Sequence, residues 1–314
     1  MTAVMGRPQR EIFGETVAAL ADTDPRIYVL DGDVGSSTKA DIVEKAHPDR
    51  YLQMGIAEQN MLGVAAGMAT MGLVPFISTF VSFAVVRPLD QVRVLIAQTG
   101  ANVKITPSYG GLFTGQTGMS HIIVDDYAIM RAMPGMVTVS PCDDIEAGEA
   151  LRWAAAYEGP CYIRLGRDAT PRVFGEDHAF AFGKAEIVRE GGDVTLISTG
   201  AQTARTLQAA ELLAGAGIEA HVLHVATLKP LDVASIVAAA GRTGRVITVE
   251  EHTVIGGLGG AVAEALAEHR PTRVNRIGLQ DCYVQSGPND ALLDIYGLSG
   301  ERVAEQVREI LRAS

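Results

Sequence analysis

The sequence predicts an α/β protein of two three-layer α/β/α domains with mostly parallel sheets. Three observations carry this. Short β-rich runs alternate with helical segments almost throughout. The alternation lapses once, at "DATPRVFGEDHAFAFG" (168–183), where turn formers crowd and no period survives. At 314 residues the chain is also too long for one ordinary core. The expected parts are a first domain over 1–170, a linker over 171–184 and a smaller second domain over 185–314.

In the first part, "RIYVLDGD" (26–33), "ANVKITPS" (101–108), "GMVTVSP" (135–141) and "GPCYIRLGR" (159–167) read as strands, with helical segments such as "DIEAGEALRWAAAYE" (144–158) between them. Residues 61–86 carry no charge, a length that raises a membrane span. Pro75, Gly63, Gly67, Gly72 and the Ser/Thr run from Ser78 to Ser82 argue instead for a small-residue helix stopping near Gly72, then a buried strand. After the linker, "DVTLIST", "EAHVLHVATL", "RVITVEE" and "VNRIGLQ" read as strands. "AQTARTLQAAELLAGAG", "DVASIVAAAG", "GGLGGAVAEALAEH" and "SGERVAEQVREILRA" read as the helices between and after them.

A hydrophobic share of 47% supplies ample core material. A net charge of −11 argues against nucleic acid or an anionic membrane as partner. Cys142, Cys161 and Cys282 lie far apart without CxxC spacing, which suits packing thiols in a reducing cytoplasm. The N-terminus shows no apolar h-region, so no signal peptide is expected.

Several motifs resolve into structural roles. No G-x-S-x-G elbow is present. In "HVLH", His221 and His224 should face opposite sides of a strand and not share a metal. "GGLGG" (256–260) lacks dinucleotide-motif order and reads as close helix–strand packing. "DGDVGSST" (31–38) approaches a diphosphate–magnesium motif, but Val34 stands at its third position, and no metal ligands are assigned to this chain. "MGIAEQNM" (54–61) sets one acid, Glu58, at the mouth of the uncharged tract. It reads either as a capping glutamate with its head in water or as a desolvated carboxylate awaiting a partner. Phe80 and Phe83 fall on opposite faces of a strand, or line one pocket if the chain turns there.

The stretch "YLQMGIAEQNMLGVAAGMATMGLVPFISTFVSF" resembles the pyrimidine-binding domain of transketolases, and "EEHTVIGGLGGAVAEAL" resembles the C-terminal domain of that family. The diphosphate-binding domain of a complete transketolase has no counterpart here. The resemblance therefore implies the C-terminal subunit of a split transketolase. Thiamine diphosphate would lie at an interface with an N-terminal subunit that holds Mg2+ (or Ca2+), in an α2β2 assembly in the cytoplasm, and this chain alone should be inactive.

By the same resemblance, Glu58 would bond the aminopyrimidine N1′ and promote the imino tautomer that deprotonates the thiazolium. Phe83, with Phe80, would stack the pyrimidine, worth about 0.5–1.5 kcal/mol beyond burial. Asp33 and Val34 would meet the thiazolium side. Arg10, Ser36 (or Ser37) and Arg167 would hold a sugar phosphate, and His121 would serve the transferred ketol. The loop "GQTGMSHI" (115–122) departs from the family: Thr117 replaces an aspartate and Ile122 a glutamine. Tyr109 stands for a phosphate-binding histidine, and Val86 lies near the place of a pocket tyrosine. These departures imply an altered ketose donor or acceptor. Two other readings remain: a 2-oxo acid decarboxylating relative (E1 β-subunit or deoxyxylulose-phosphate-synthase-like), and a non-catalytic partner subunit.

Overall fold

The computed structural model describes residues 4–313. Two sheets organise it. The strands in chain order are β1 (Ile27–Asp31), β2 (Tyr51–Gln53), β3 (Val74–Ser78), β4 (Lys104–Ile105), β5 (Val137–Val139) and β6 (Cys161–Ile163). Then follow β7 (Glu186–Arg189), β8 (Val194–Ser198), β9 (Ala220–His224), β10 (Thr227–Lys229), β11 (Val246–Thr253) and β12 (Val274–Leu279). The first sheet has the order β10-β5-β6-β4-β3-β1-β2 and the second β12-β11-β8-β9-β7. All pairings are parallel except those of the edge strands β10 and β7.

The run "EAHVLHVATL" is not one strand. β9 ends at His224, and the chain then crosses to pair Thr227 and Lys229 with β5 of the other sheet. The two halves thus share backbone hydrogen bonds. They also share one apolar cluster, in which Met130 and Tyr162 of the first half meet Leu228, Ile236 and Leu258 of the second.

The uncharged tract forms the helix Glu58–Thr70, with Met61, Leu62, Ala65 and Ala66 buried, and then β3, buried at all five positions. Gly72, at φ 81°, makes the turn between them. No described helix is long and apolar enough to cross a membrane. Past β3 the backbone turns at once into the short helix Val81–Val85, which brings Phe80 and Phe83 together.

Chain order sets the crevice. From β1 the chain goes to β2 on one side and returns to β3 on the other, so β1 and β3 flank a point where strand order reverses. In parallel sheets ligands enter at the carboxyl ends of strands at such points. Residues 32–34, 79–83, 108–110 and 164–167 all follow the carboxyl ends of β1, β3, β4 and β6.

Candidate active site

Glu58 is the first residue of its helix, and the cap position is Ala57. Its side chain is 4% exposed, so it is not a cap with its head in water. Its partner is Arg87, whose Nη1 donates to Oε1 at 2.7 Å. The same guanidinium lies 3.8 Å above the Phe83 ring. A cation over an aromatic face is held by the ring quadrupole, and here it also neutralises a desolvated acid.

Around Phe83 the aromatic residues gather. Phe80 stacks on Phe83 at 5.6 Å and on Tyr109 at 4.0 Å. His121 meets Phe83 edge-on at 5.1 Å and Phe80 at 5.9 Å. His121 Nδ1 bonds Ser120 Oγ at 2.9 Å, and its Nε2 makes no hydrogen bond among the described residues. Tyr109 carries φ 71°, rare for a bulky side chain, and strain of this kind concentrates at functional sites.

Tyr109 also joins the two arginines. Arg10 donates to its hydroxyl at 2.9 Å and to the Ser37 carbonyl at 2.8 Å, while Arg167 lies 5.5 Å from its ring. Burial opposes the charge of Arg167, but its bond to Tyr109 and the neighbouring Asp168 outweigh that and raise its pKa. Arg10 thus reaches Ser37 and not Ser36, whose residue is exposed.

Asp33 and Val34 form the turn after β1, with Asp33 exposed at φ 65°. The turn is held from below by Asp31, which the sequence reading missed. Its buried carboxylate accepts from the Val34 and Gly35 N–H groups at 3.0 and 3.1 Å and from Gln53 at 3.1 Å. Burial raises its pKa against these bonds. An acid two residues before a Gly-rich turn was the available signal.

Thr117 sits in a one-turn 3-10 helix, Gly115–Thr117. Its hydroxyl donates back to the Thr114 carbonyl at 2.6 Å, so it braces its own loop. Ile122 is buried, and Val86 is exposed. The loop is clamped by the second half of the chain. Glu251 Oε1 accepts from the N–H groups of Leu112 and Phe113, while Arg205 Nη1 holds the other oxygen at 3.1 Å. Asn289 Oδ1 accepts from Gly115 N at 3.0 Å, and Gly287 N donates to Gly115 O at 3.1 Å. A side chain at Gly111 would run into Arg164 and Glu251, so that position must stay bare. Neither Arg87 nor Glu251 carries a local sequence signal, because each acts on a segment distant in the chain.

The "GGLGG" turn is met by an acidic side chain of this chain. Leu258 and Gly259 N–H groups donate to the Glu250 carboxylate at 2.7 and 2.8 Å, filling the N-terminus of helix Leu258–His269. A Cβ on Gly257 or Gly259 would strike Glu250, Thr248 or Arg276, so these glycines serve close packing. His221 and His224 go to different partners, Glu190 and Glu146.

Comparison with known proteins identifies the two parts of the chain. Residues 7–172 match the transketolase pyrimidine binding domain and residues 183–303 the transketolase C-terminal domain. The 6-deoxy-6-sulfo-D-fructose transketolase subunit SqwH of Clostridium sp. (strain MSTE9) is 40% identical over 301 residues, covering 96% of this chain and 94% of that one. An apulose-4-phosphate transketolase subunit of Phocaeicola vulgatus is 37% identical over 304 residues, covering 96% and 97%. Human transketolase is 35% identical over 306 residues, covering 96% of this chain but 49% of the relative. Among solved structures, a split gene transketolase in an inactive β4 tetramer superposes with a TM-score of 0.89 at 42% identity, covering 98% and 99%. The chain therefore belongs to the transketolase family of thiamine-diphosphate-dependent transferases, as the pyrimidine-domain and C-terminal-domain subunit of a split enzyme.

Proposed function

We propose that this chain supplies the aminopyrimidine half of a thiamine diphosphate site and the sugar-binding loop of a ketol transferase. A separate N-terminal subunit supplies the diphosphate half and its Mg2+ (or Ca2+), in an α2β2 assembly in the cytoplasm. Arg87 carries the reading. Its flat guanidinium stacks on Phe83 at 3.8 Å while meeting Glu58 at 2.7 Å. A flat aminopyrimidine needs the same two contacts, an aromatic face and a carboxylate at its edge, so the residues fit the group. Arg87 stands in for it and swings out toward solvent, where its side chain is already 44% exposed.

When bound, thiamine diphosphate would supply a carbon acid and a cationic thiazolium ring that takes up the electrons released when a ketose C–C bond breaks. The chain's own groups do the rest. Glu58 holds a proton at the N1′ edge from a fixed, desolvated position. Phe83 and Phe80 orient the ring by stacking, and the turn at Asp33 and Val34 bounds the thiazolium side. His121, with Nε2 unengaged, holds or passes a proton at the ketol hydroxyls. Arg10 and Arg167, gathered on Tyr109 beside Ser36 and Ser37, offer positive charge to an anionic tail on the sugar. Two relatives are named for sugars bearing a sulfo or a phosphate group, which supports an anionic donor and ketol transfer over decarboxylation. Tyr109 and the Thr117 loop set which ketose is accepted.

The test mixes this chain with the N-terminal subunit, recognised by a Gly-Asp-Gly motif in its sequence. Calorimetry should find thiamine diphosphate binding to the pair and not to this chain alone. The pair should release an aldose from a ketose phosphate or sulfo-ketose and no CO2 from pyruvate. CO2 release without ketol transfer would assign decarboxylation, and no cofactor binding would assign a non-catalytic role.

A further inference from the structure

We propose a second, structural site: a divalent transition-metal site, suited to Zn2+, formed by Glu146, His178 and Glu186 where the linker crosses between the two sheets. The three come from separate parts of the chain. Glu146 lies in the first turn of helix Asp144–Ala156, His178 in the irregular segment, and Glu186 begins the edge strand β7. One ligand atom from each lies within 4.8 Å of the others.

Glu146 is already aimed. His224 Nε2 lies 2.9 Å from its Oε2, and the Cys142 N–H donates to the same oxygen at 2.7 Å. His224 is itself fixed through Nδ1 by Thr203 Oγ1 at 2.8 Å. Such outer contacts commonly orient metal-binding carboxylates. Oε1 of Glu146, which His224 Nε2 also approaches at 3.1 Å, faces His178 Nε2 at 3.9 Å.

His178 is buried without the partner its ring nitrogen calls for. Its side chain is only 7% exposed, yet its buried Nε2 has no hydrogen-bond partner. The ring is held flat on Phe174 at 3.8 Å and 9°, and Phe174 is tied down by its N–H donating to Asp143 at 2.9 Å. Glu186 stands 3.7 Å from the other ring nitrogen, on a side chain 34% exposed and therefore able to turn. In the same cluster the His224–Glu146 pair closes to 2.9 Å, whereas both His178–carboxylate gaps stay open. Two ligand atoms bound to one zinc at about 2.0–2.1 Å stand roughly 3.4 Å apart at a tetrahedral angle. The gap from Glu146 Oε1 to His178 Nε2 is close to that spacing, and Glu186, which faces Nδ1 at rest, reaches an ion on Nε2 by turning its partly exposed side chain. One imidazole and two carboxylates suit a borderline divalent ion, with solvent completing the sphere.

The experiment titrates the full chain with Co2+, read by visible absorption, and with Zn2+, read by thermal unfolding. One equivalent of Co2+ should develop a visible band, and Zn2+ should raise Tm. His178→Phe, which keeps the ring on Phe174, and Glu186→Gln, at a partly exposed position, should each weaken binding at least about tenfold. His269→Ala, at an exposed histidine, should bind as wild type. Unfolding without metal reports whether each variant folds. No saturable uptake at one equivalent overturns the proposal, and so does uptake that folded His178→Phe and Glu186→Gln retain unchanged.

Discussion

Arg87 shows how one side chain answers two demands of the same pocket. The buried Glu58 carboxylate needs a counter-charge, and the Phe83 face needs cover. Removing the arginine leaves a desolvated acid alone, although solvent at the pocket mouth softens the cost. Arg87→Ala should therefore destabilise the isolated chain by about 1–2 kcal/mol in urea unfolding. A change within error would mean that water already satisfies Glu58. Glu250 gives a second test at this scale. Burial raises its carboxyl pKa to about 7 from an ordinary 4.5, against the Leu258 and Gly259 N–H bonds. The fold thus prefers the protonated acid. Its contribution is fully present below pH 4.5 and is lost as pH rises through about 7. The stability of Glu250→Gln relative to wild type should then grow by about 2–3 kcal/mol from pH 5 to pH 8. A gap that stays constant with pH would refute the assignment.

Elements with a clear period were the legible ones. The helix Glu58–Thr70, the buried β3 and the final helix Gly300–Arg312 lie where small-residue spacing, uniform apolarity and the run "SGERVAEQVREILRA" placed them. Short elements fixed by tertiary contacts were not. β4 keeps two residues of the eight expected, and Lys104 is buried there because its ammonium meets the Tyr157 and Gly159 carbonyls at 2.6 and 2.9 Å. β10 and helix Asn289–Ile295 also escaped, since pairing with β5 and docking on the 115–117 turn are long-range events. In the site, Glu58, Phe83 and His121 were readable through the family's motif order. Arg87 and Glu251 were not, because their partners lie at other places in the sequence, whereas Asp31 bonds the nearby Val34 and Gly35 N–H groups and did leave a local signal. The loop clamp yields a prediction at this scale. Glu251→Ala removes the acceptor of the Leu112 and Phe113 N–H groups, so hydrogen exchange across 110–118 should accelerate, by tenfold or more for a loss of about 1.4 kcal/mol. Unchanged protection would show that the Asn289 contacts hold the loop alone.

At the scale of the whole molecule, the second sheet does more than cover the first. Through β10, the shared apolar cluster and Glu251, it fixes the loop that carries Thr117 and His121, while the carboxyl ends of β1, β3, β4 and β6 present the rest of the pocket. In the proposed function, that geometry forms the aromatic and acidic half of a cofactor site, and another chain supplies the diphosphate half. The central claim is that Glu58 is the proton-holding group of this half. The measurement that tests it most directly is ketol transfer by the reconstituted pair carrying Glu58→Gln, with assembly confirmed by sedimentation and cofactor binding by calorimetry. The account predicts an intact assembly whose kcat falls by roughly 10²–10⁴-fold. Turnover close to wild type in that variant would contradict it.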